Sequence, residues 1–301
     1  MARSREQVAQ LRTSAPGRSV LLSVALGLAL LAPAGPAPAA APPGRSAPSL
    51  WDPHHRPDKP DMKSLRQIRF LTEDEFPPFN FAGAGGALEG FNVDLARAIC
   101  AELGVTCTIQ ARRWDTIVAA IETGQADVIA AGLAATPEAR SRLLFTDPYF
   151  RLPARFATQR SNGLSDFSAA SLAGKRIAVT AGTSHEAWLA AFLPATRRVP
   201  KPTDALARET LMKGEADALF GDGVALSFWV NGTASKDCCT LAGGPYLESR
   251  FFGPGLAMAV RPENTTLKRA IDFALFQLWE RGTWADLVRR WFPVDPFVGD
   301  H

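Results

Sequence analysis

At 301 residues the chain is long enough for two ordinary domains, and 47% apolar with 21% charged residues excludes a disordered chain. The formal charge of +3 does not point to nucleic acid. Residues 1–41 hold four Arg and one Glu, so the remainder is formally neutral and the basic excess lies in the leader.

The leader has the order of a secretory signal peptide. Arg3, Arg5, Arg12 and Arg18 precede an apolar run at 20–32, which is too short for a bilayer core of about 30 Å. That length disfavours the competing reading, an N-terminal membrane anchor. Ala37-Pro38-Ala39 and Ala39-Ala40-Ala41 are cleavage candidates, and no cysteine follows the run to carry a lipid. Residues 42–65 are Pro-rich and read as a linker; His54-His55 within it reads as solvated and not as a metal site.

Regular structure is expected from near Leu65. The alternation Ile68-Arg69-Phe70-Leu71-Thr72 predicts a strand. A loop with Phe76, Pro77, Pro78 and Phe79 follows, then a Gly-rich turn at 83–86. Phe91, Leu95, Ile99 and Leu103 recur every four residues and predict a helix, with Gly104 as its C-cap. Cys100 and Cys107 flank that helix end and could meet; a metal reading is weak because no His sits near them at ligand spacing. Cys238-Cys239 receives no assigned role.

A helix, Gly-x-Ala-Asp and a buried strand occur twice, at Gly124-Gln125-Ala126-Asp127 and at Gly214-Glu215-Ala216-Asp217. Chance reuse of a common joint would explain this, as would two lobes built alike. Strand 175–180, followed by a helix opened by Gly182-Thr183-Ser184, supports the second explanation. Alternating strands and helices predict an α/β fold with mostly parallel sheets, and ligands on such sheets sit beyond the strands' carboxyl ends. The loops of interest are therefore 73–79, 131–140, 181–185 and 221–223. No Ser-His-Asp order, zinc motif or P-loop is present to suggest an enzyme.

Seven stretches carry a resemblance. They are Gly90-Phe-Asn-Val-Asp94-Leu, Gly124-Gln-Ala-Asp127, Thr136-Pro-Glu, Phe145-Thr-Asp-Pro-Tyr149, Leu172-Ala-Gly-Lys-Arg-Ile-Ala-Val, Gly182-Thr-Ser and Gly282-Thr-Trp with Arg290-Trp-Phe. In this order, over 66–297, the chain resembles the family 3 periplasmic solute-binding proteins of ABC importers, the group of the lysine/arginine/ornithine- and histidine-binding proteins. The resemblance implies two α/β lobes joined by two crossover strands near 151–156 and 249–255. Lobe 1 would be 66–152 with 251–297, and lobe 2 would be 153–250. It also implies a Cys100–Cys107 disulfide.

Site residues follow from the same resemblance. Phe76 and Trp114 match the aromatic pair that sandwiches a ligand side chain; their bland reading is core packing. Asp222, in Gly221-Asp-Gly223, matches the aspartate that takes the ligand's amino group, though Gly-Asp-Gly is also ordinary turn chemistry. Thr183 and Ser184 open a helix whose N–H groups suit a carboxylate, and would cap that helix in any case. Glu73 matches an acidic position near the ligand's far end, or is a solvated loop residue. Gly132 and Ala134 lie on the loop at 131–140, which departs from the pattern. Ala131 and Ala134 stand where hydroxyl residues are usual, and Ala139 stands where the family has its carboxylate-binding arginine. Arg140 is the next residue; Arg113 is another possible substitute. Asp94, Asp147 and Tyr149 read as structural, with Asp94 fixing the loop ahead of its helix.

The expected function is capture of an amino acid or related small polar compound in the periplasm, and delivery to an ABC permease, by a monomer without cofactor or metal. The alternatives are a cyclohexadienyl-dehydratase-like enzyme using Glu73, or a module that presents a ligand without transporting it.

Overall fold

The computed structural model describes residues 51–297, apart from 53, 55, 64, 134 and 163. The expected signal peptide, its cleavage site, the first part of the linker, His55 and Ala134 lie outside the described residues. Within the expected linker, Trp51 is buried against Trp279 and Trp284, at ring distances of 5.9 and 6.4 Å. Arg56 pairs with Glu280, so this end of the segment is docked and not free.

Among the described residues the strands form two five-stranded sheets and one small three-stranded sheet. The first large sheet runs Thr106–Ala111, Gln67–Thr72, Val128–Ile129, Ala259–Val260, Leu144–Phe145. Its first three strands are parallel, and Ala259–Val260 is antiparallel to both neighbours. The second runs Arg197–Lys201, Arg176–Thr180, Ala218–Asp222, Ala154–Gln159, Cys239–Tyr246. It repeats the plan, with three parallel strands and then Ala154–Gln159 antiparallel to both neighbours. These are the two α/β lobes, each with a parallel part of three strands.

The doubled Gly-x-Ala-Asp motif is one joint built twice. Asp127 accepts from the Arg69 backbone N–H (3.0 Å) and from its Nη2 (2.8 Å), while Nη2 also donates to the Gly124 carbonyl (3.1 Å). Asp217 accepts from the Arg176 backbone N–H (2.8 Å) and from its Nη2 (2.7 Å), and that Nη2 donates to the Gly214 carbonyl (3.1 Å). In each lobe a charge-assisted pair fixes the end of a helix against the start of the neighbouring strand.

Helix Phe91–Leu103 forms as its four-residue apolar spacing predicts, and Gly104 ends it with φ 66°. Phe91, Leu95 and Ile99 are fully buried; each such side chain contributes about 1.5–3 kcal/mol. They pack with helices Thr265–Glu280 and Thr283–Trp291 on one face of the first sheet. Asp94 accepts from Arg97 (2.9 Å) and the Trp291 indole (3.0 Å) and forms an ion pair with Arg290 (3.0 Å), so it ties down the last helix and not the loop ahead of its own. The expected Cys100–Cys107 disulfide is present and joins this helix to strand Thr106–Ala111. Cys238 and Cys239 are joined to each other.

The chain crosses between the sheets twice. The crossing segments meet at an antiparallel bridge of Phe150 and Leu256: the Leu256 N–H donates to the Phe150 carbonyl (2.7 Å) and the Tyr149 N–H donates to the Leu256 carbonyl (2.9 Å). Ala154–Gln159 already belongs to the second sheet and Ser249–Phe252 is a short helix. The segments that connect the two sheets are therefore 146–153 and 247–258, and they meet just outside the expected 151–156 and 249–255.

Candidate ligand-binding site

The segment expected as a loop at 73–79, with the residues after it, is an antiparallel meander of Glu75–Phe76, Asn80–Ala82 and Leu88–Glu89. A buried polar chain positions it. The Tyr149 hydroxyl donates to Asn92 Oδ1 (2.8 Å), Asn92 Nδ2 donates to Asn80 Oδ1 (2.7 Å), and Asn80 Nδ2 donates to the Glu73 carbonyl (3.1 Å). These amides are buried and mutually satisfied, which fixes one conformation. The meander thereby presents Phe76, stacked on Phe79 at 5.0 Å. Gly132, with φ 69°, lies beneath it: a Cβ there would sit 3.0 Å from the Phe76 ring, so glycine sets how closely the ring approaches the first sheet.

Across from Phe76, strand Ala218–Asp222 ends at the second lobe's helix Gly223–Asn231. Asp222 is its N-cap and accepts from the Ala225 N–H at 2.7 Å. Burial pushes its carboxyl above the ordinary range, opposed by the backbone N–H groups and by His185. Gly223 is packed against the crossing segment; a Cβ would lie 2.8 Å from the Pro153 carbonyl oxygen.

Phe76 and Asp222 line one cavity of about 570 Å³, with Phe81, Leu152, Phe228 and Trp291 among its walls. Trp291 stands edge-on to Phe81 at 5.8 Å. On its other side Asp222 borders a narrow crevice shared with Asp204 and Arg208, which face each other at 3.9 Å.

Trp114 is placed elsewhere. It opens helix Trp114–Glu122, is 50% exposed, and lines a separate cavity of about 410 Å³ with Thr136, Ala139 and Arg142. The two rings are not brought to one cavity here. Ala139 faces the Trp114 cavity, whereas Arg140 turns from it: its Nε donates to the Ala135 carbonyl (3.1 Å) and its guanidinium lies 5.4 Å from the Phe145 ring centre. Arg142 reaches the Trp114 cavity but donates twice, at 2.8 Å, to the carboxylate of Glu122. Arg113 is exposed and pairs with Asp115.

Thr183 caps helix Ser184–Phe192 through the Glu186 N–H (3.4 Å), and Ser184 is exposed at its first turn. The Glu186 carboxylate reaches back to the Gly182 N–H at 2.7 Å, so an N–H group that would suit a ligand carboxylate already holds one. Glu73 is half-buried beyond the end of strand Gln67–Thr72. Burial, then the neighbouring Glu75 and Asp74, raise its carboxyl above the ordinary range.

Four residues beside these escape sequence reasoning. His185 stacks on Phe252 at 5.2 Å, and burial holds it below the ordinary imidazole range against the pull of Asp222 and Asp204. Glu186 had a readable signal, the Thr-x-x-Glu capping spacing. Phe228 and Trp291 had none, because their walls come from segments far apart in the chain.

Two sheet-containing lobes joined by paired crossing segments, with a cavity lined from both, define the fold of a two-lobed binding protein. Residues 68–294 match the model of the bacterial extracellular solute-binding proteins, family 3, and the chain belongs to that family. It is 33% identical over 227 residues to the putative ABC transporter arginine-binding protein 2 of Escherichia coli (strain K12), covering 75% of this chain and 90% of that protein. It is 27% identical over 243 residues to the histidine-binding periplasmic protein of Salmonella typhimurium, covering 78% and 90%. Among solved structures it is similar to an ancestral cationic amino acid solute binding protein (26% identity, TM-score 0.55, 77% of this chain and 98% of that one). The L-cystine solute receptor of Neisseria gonorrhoeae shares the fold (21% identity, TM-score 0.65, 79% and 97%).

Proposed function

We propose that this chain captures a small amine-bearing solute, an amino acid or a related compound, between its lobes and delivers it to the permease of an ABC importer. One observation carries the reading: Phe76 from the first lobe and Asp222 from the second border the same cavity. A carboxylate at a strand's carboxyl end, opposite an aromatic ring, suits an ammonium group and the body attached to it. The relatives named above are arginine- and histidine-binding proteins, and this supports the amine-bearing class.

In this reading lobe 1 comprises 66–152 and 251–297, lobe 2 comprises 153–250, and the crossing segments act as the hinge. Residues 1–41 direct export and are removed, leaving a monomer in the periplasm. Glu73, Phe76, Trp114, Gly132, Thr183, Ser184 and Asp222 face the ligand when the lobes close. Arg140 contributes only if it leaves Phe145.

The test is thermal unfolding of the mature protein with amino acids, amines and small organic acids. A ligand at 100 times its Kd stabilises by about 2.7 kcal/mol. If no class raises the Tm, the reading fails. Turnover of prephenate or arogenate, abolished by Glu73→Gln, would replace it with the dehydratase reading.

A further inference from the structure

The cavity shared by the two lobes is polar at one point. Among its described lining residues Asp222 carries the sole ionisable side chain, and the rest of the wall is aromatic, aliphatic and proline. Several hydrogen-bond donors on or beside this wall are engaged. The Ala225 N–H goes to Asp222 and the Gly223 N–H to the Pro153 carbonyl (2.7 Å). The Trp291 indole goes to Asp94, the Phe79 N–H goes to the Phe76 carbonyl (2.9 Å), and Pro77 and Pro78 have no N–H. A carboxylate placed here would meet another carboxylate and an otherwise apolar wall, and an unpaired buried charge is among the most costly arrangements a site can hold.

Several of the places where a carboxylate would be received are also committed. Ala139 replaces the expected arginine. Arg140 lies on Phe145, and Arg142 is held by both oxygens of Glu122. The Gly182 N–H at the second lobe's helix carries Glu186. An ammonium group, in contrast, meets a carboxylate whose own hydrogen bond comes from a backbone N–H, beside an aromatic ring.

From this we infer that the ligand is a monoamine with an apolar aryl or alkyl body and no carboxylate, its ammonium on Asp222 and its body between Phe76, Phe81, Phe228 and Trp291. The inference rests on the reading of the chain as a solute binder and narrows it. A cavity of about 570 Å³ lies within the range that encloses such molecules, about 300–1,000 Å³. A second cation on the ligand would have no partner on this wall, so a diamine or guanidino-amine is disfavoured as well.

Matched pairs that differ by the carboxylate test this directly. Isothermal titration of the mature protein would compare 2-phenylethylamine with phenylalanine, and agmatine with arginine. The expected result is that 2-phenylethylamine binds at least about tenfold more tightly than phenylalanine, and more tightly than agmatine. Asp222→Asn keeps an N-cap residue and should weaken 2-phenylethylamine at least about tenfold. Phe228 is 41% exposed on the cavity wall. Its replacement by Ala should weaken the same ligand about threefold or more without lowering the Tm of the ligand-free protein, a readout that does not depend on Asp222. If phenylalanine or arginine binds as tightly as its decarboxylated partner, the inference is overturned while solute capture stands. If neither pair binds and no amino acid, amine or organic acid raises the Tm, both fall.

Discussion

Strands Arg176–Thr180 and Ala218–Asp222 lie side by side in the second sheet, and each passes at its carboxyl end into a nine-residue helix. Both helices are capped by a side-chain oxygen, from Thr183 in one and Asp222 in the other. In the first, the chain supplies its own anion, since Glu186 bonds the Gly182 N–H. In the second, the cap is itself the anion, and it borders an apolar cavity. The same local grammar of strand, cap and helix thus yields one terminus whose Gly182 N–H is answered by the chain's own carboxylate and another whose capping carboxylate borders a cavity. The difference lies in where the carboxylate is attached, inside the first turn or at the cap.

Substitutions at matching positions of the two termini should separate these roles. The largest contrast is at the first helical residue. Gly223→Ala places a Cβ 2.8 Å from the Pro153 carbonyl oxygen and 2.7 Å from Arg155 Cγ. It should destabilise by about 1–3 kcal/mol, whereas Ser184→Ala, at an exposed site, should stay within about 0.5 kcal/mol; urea unfolding measures both. At the caps, Thr183→Ala should cost about 1 kcal/mol, and Asp222→Asn only a few tenths, since asparagine also caps. Equal losses would mean that the two caps are equivalent and the contrast is wrong.

Glu186→Gln should come next, at about 0.3–1 kcal/mol from the lost charge beside a helix N-terminus, and more at low ionic strength. An unchanged Tm across salt concentrations would remove Glu186 from the electrostatic picture. The most gradual effect is with pH. An acid whose folded pKa is raised holds its proton more tightly in the fold, so its ionisation lowers stability as pH rises from the unfolded value through the folded one. Burial raises Asp222 in this way. The stability of Asp222→Asn relative to the parent should therefore improve as pH is taken from about 4 to 7. A difference that is flat over that window, in paired urea titrations, would mean that Asp222 is solvated.

The doubled joint was legible in the sequence because its chemistry is local. An aspartate three residues after the glycine can reach the neighbouring strand's backbone and its arginine in only one way, so the motif keeps its spacing in both lobes. The helix from Phe91 and the Cys100–Cys107 disulfide were legible for similar reasons, the second through the family resemblance. The environment of the site was less so. Phe76 and Trp114 follow different strands of the first sheet, and nothing in their spacing says whether their rings share a cavity. The contribution of Trp291 depends on Asp94 holding the last helix, a contact between residues 197 apart in the chain. Nor does a one-residue offset from Ala139 to Arg140 disclose that Phe145 would receive the guanidinium.

The Glu186 carboxylate on the Gly182 N–H can also be viewed as a tethered competitor. It is attached four residues from the group it occupies, and short tethers correspond to effective concentrations of about millimolar or above. A free anion at micromolar concentration competes against that internal one and is excluded by mass action. At this one N–H group, any discrimination against dilute acids would be built into the second lobe and would be independent of how tightly the lobes close.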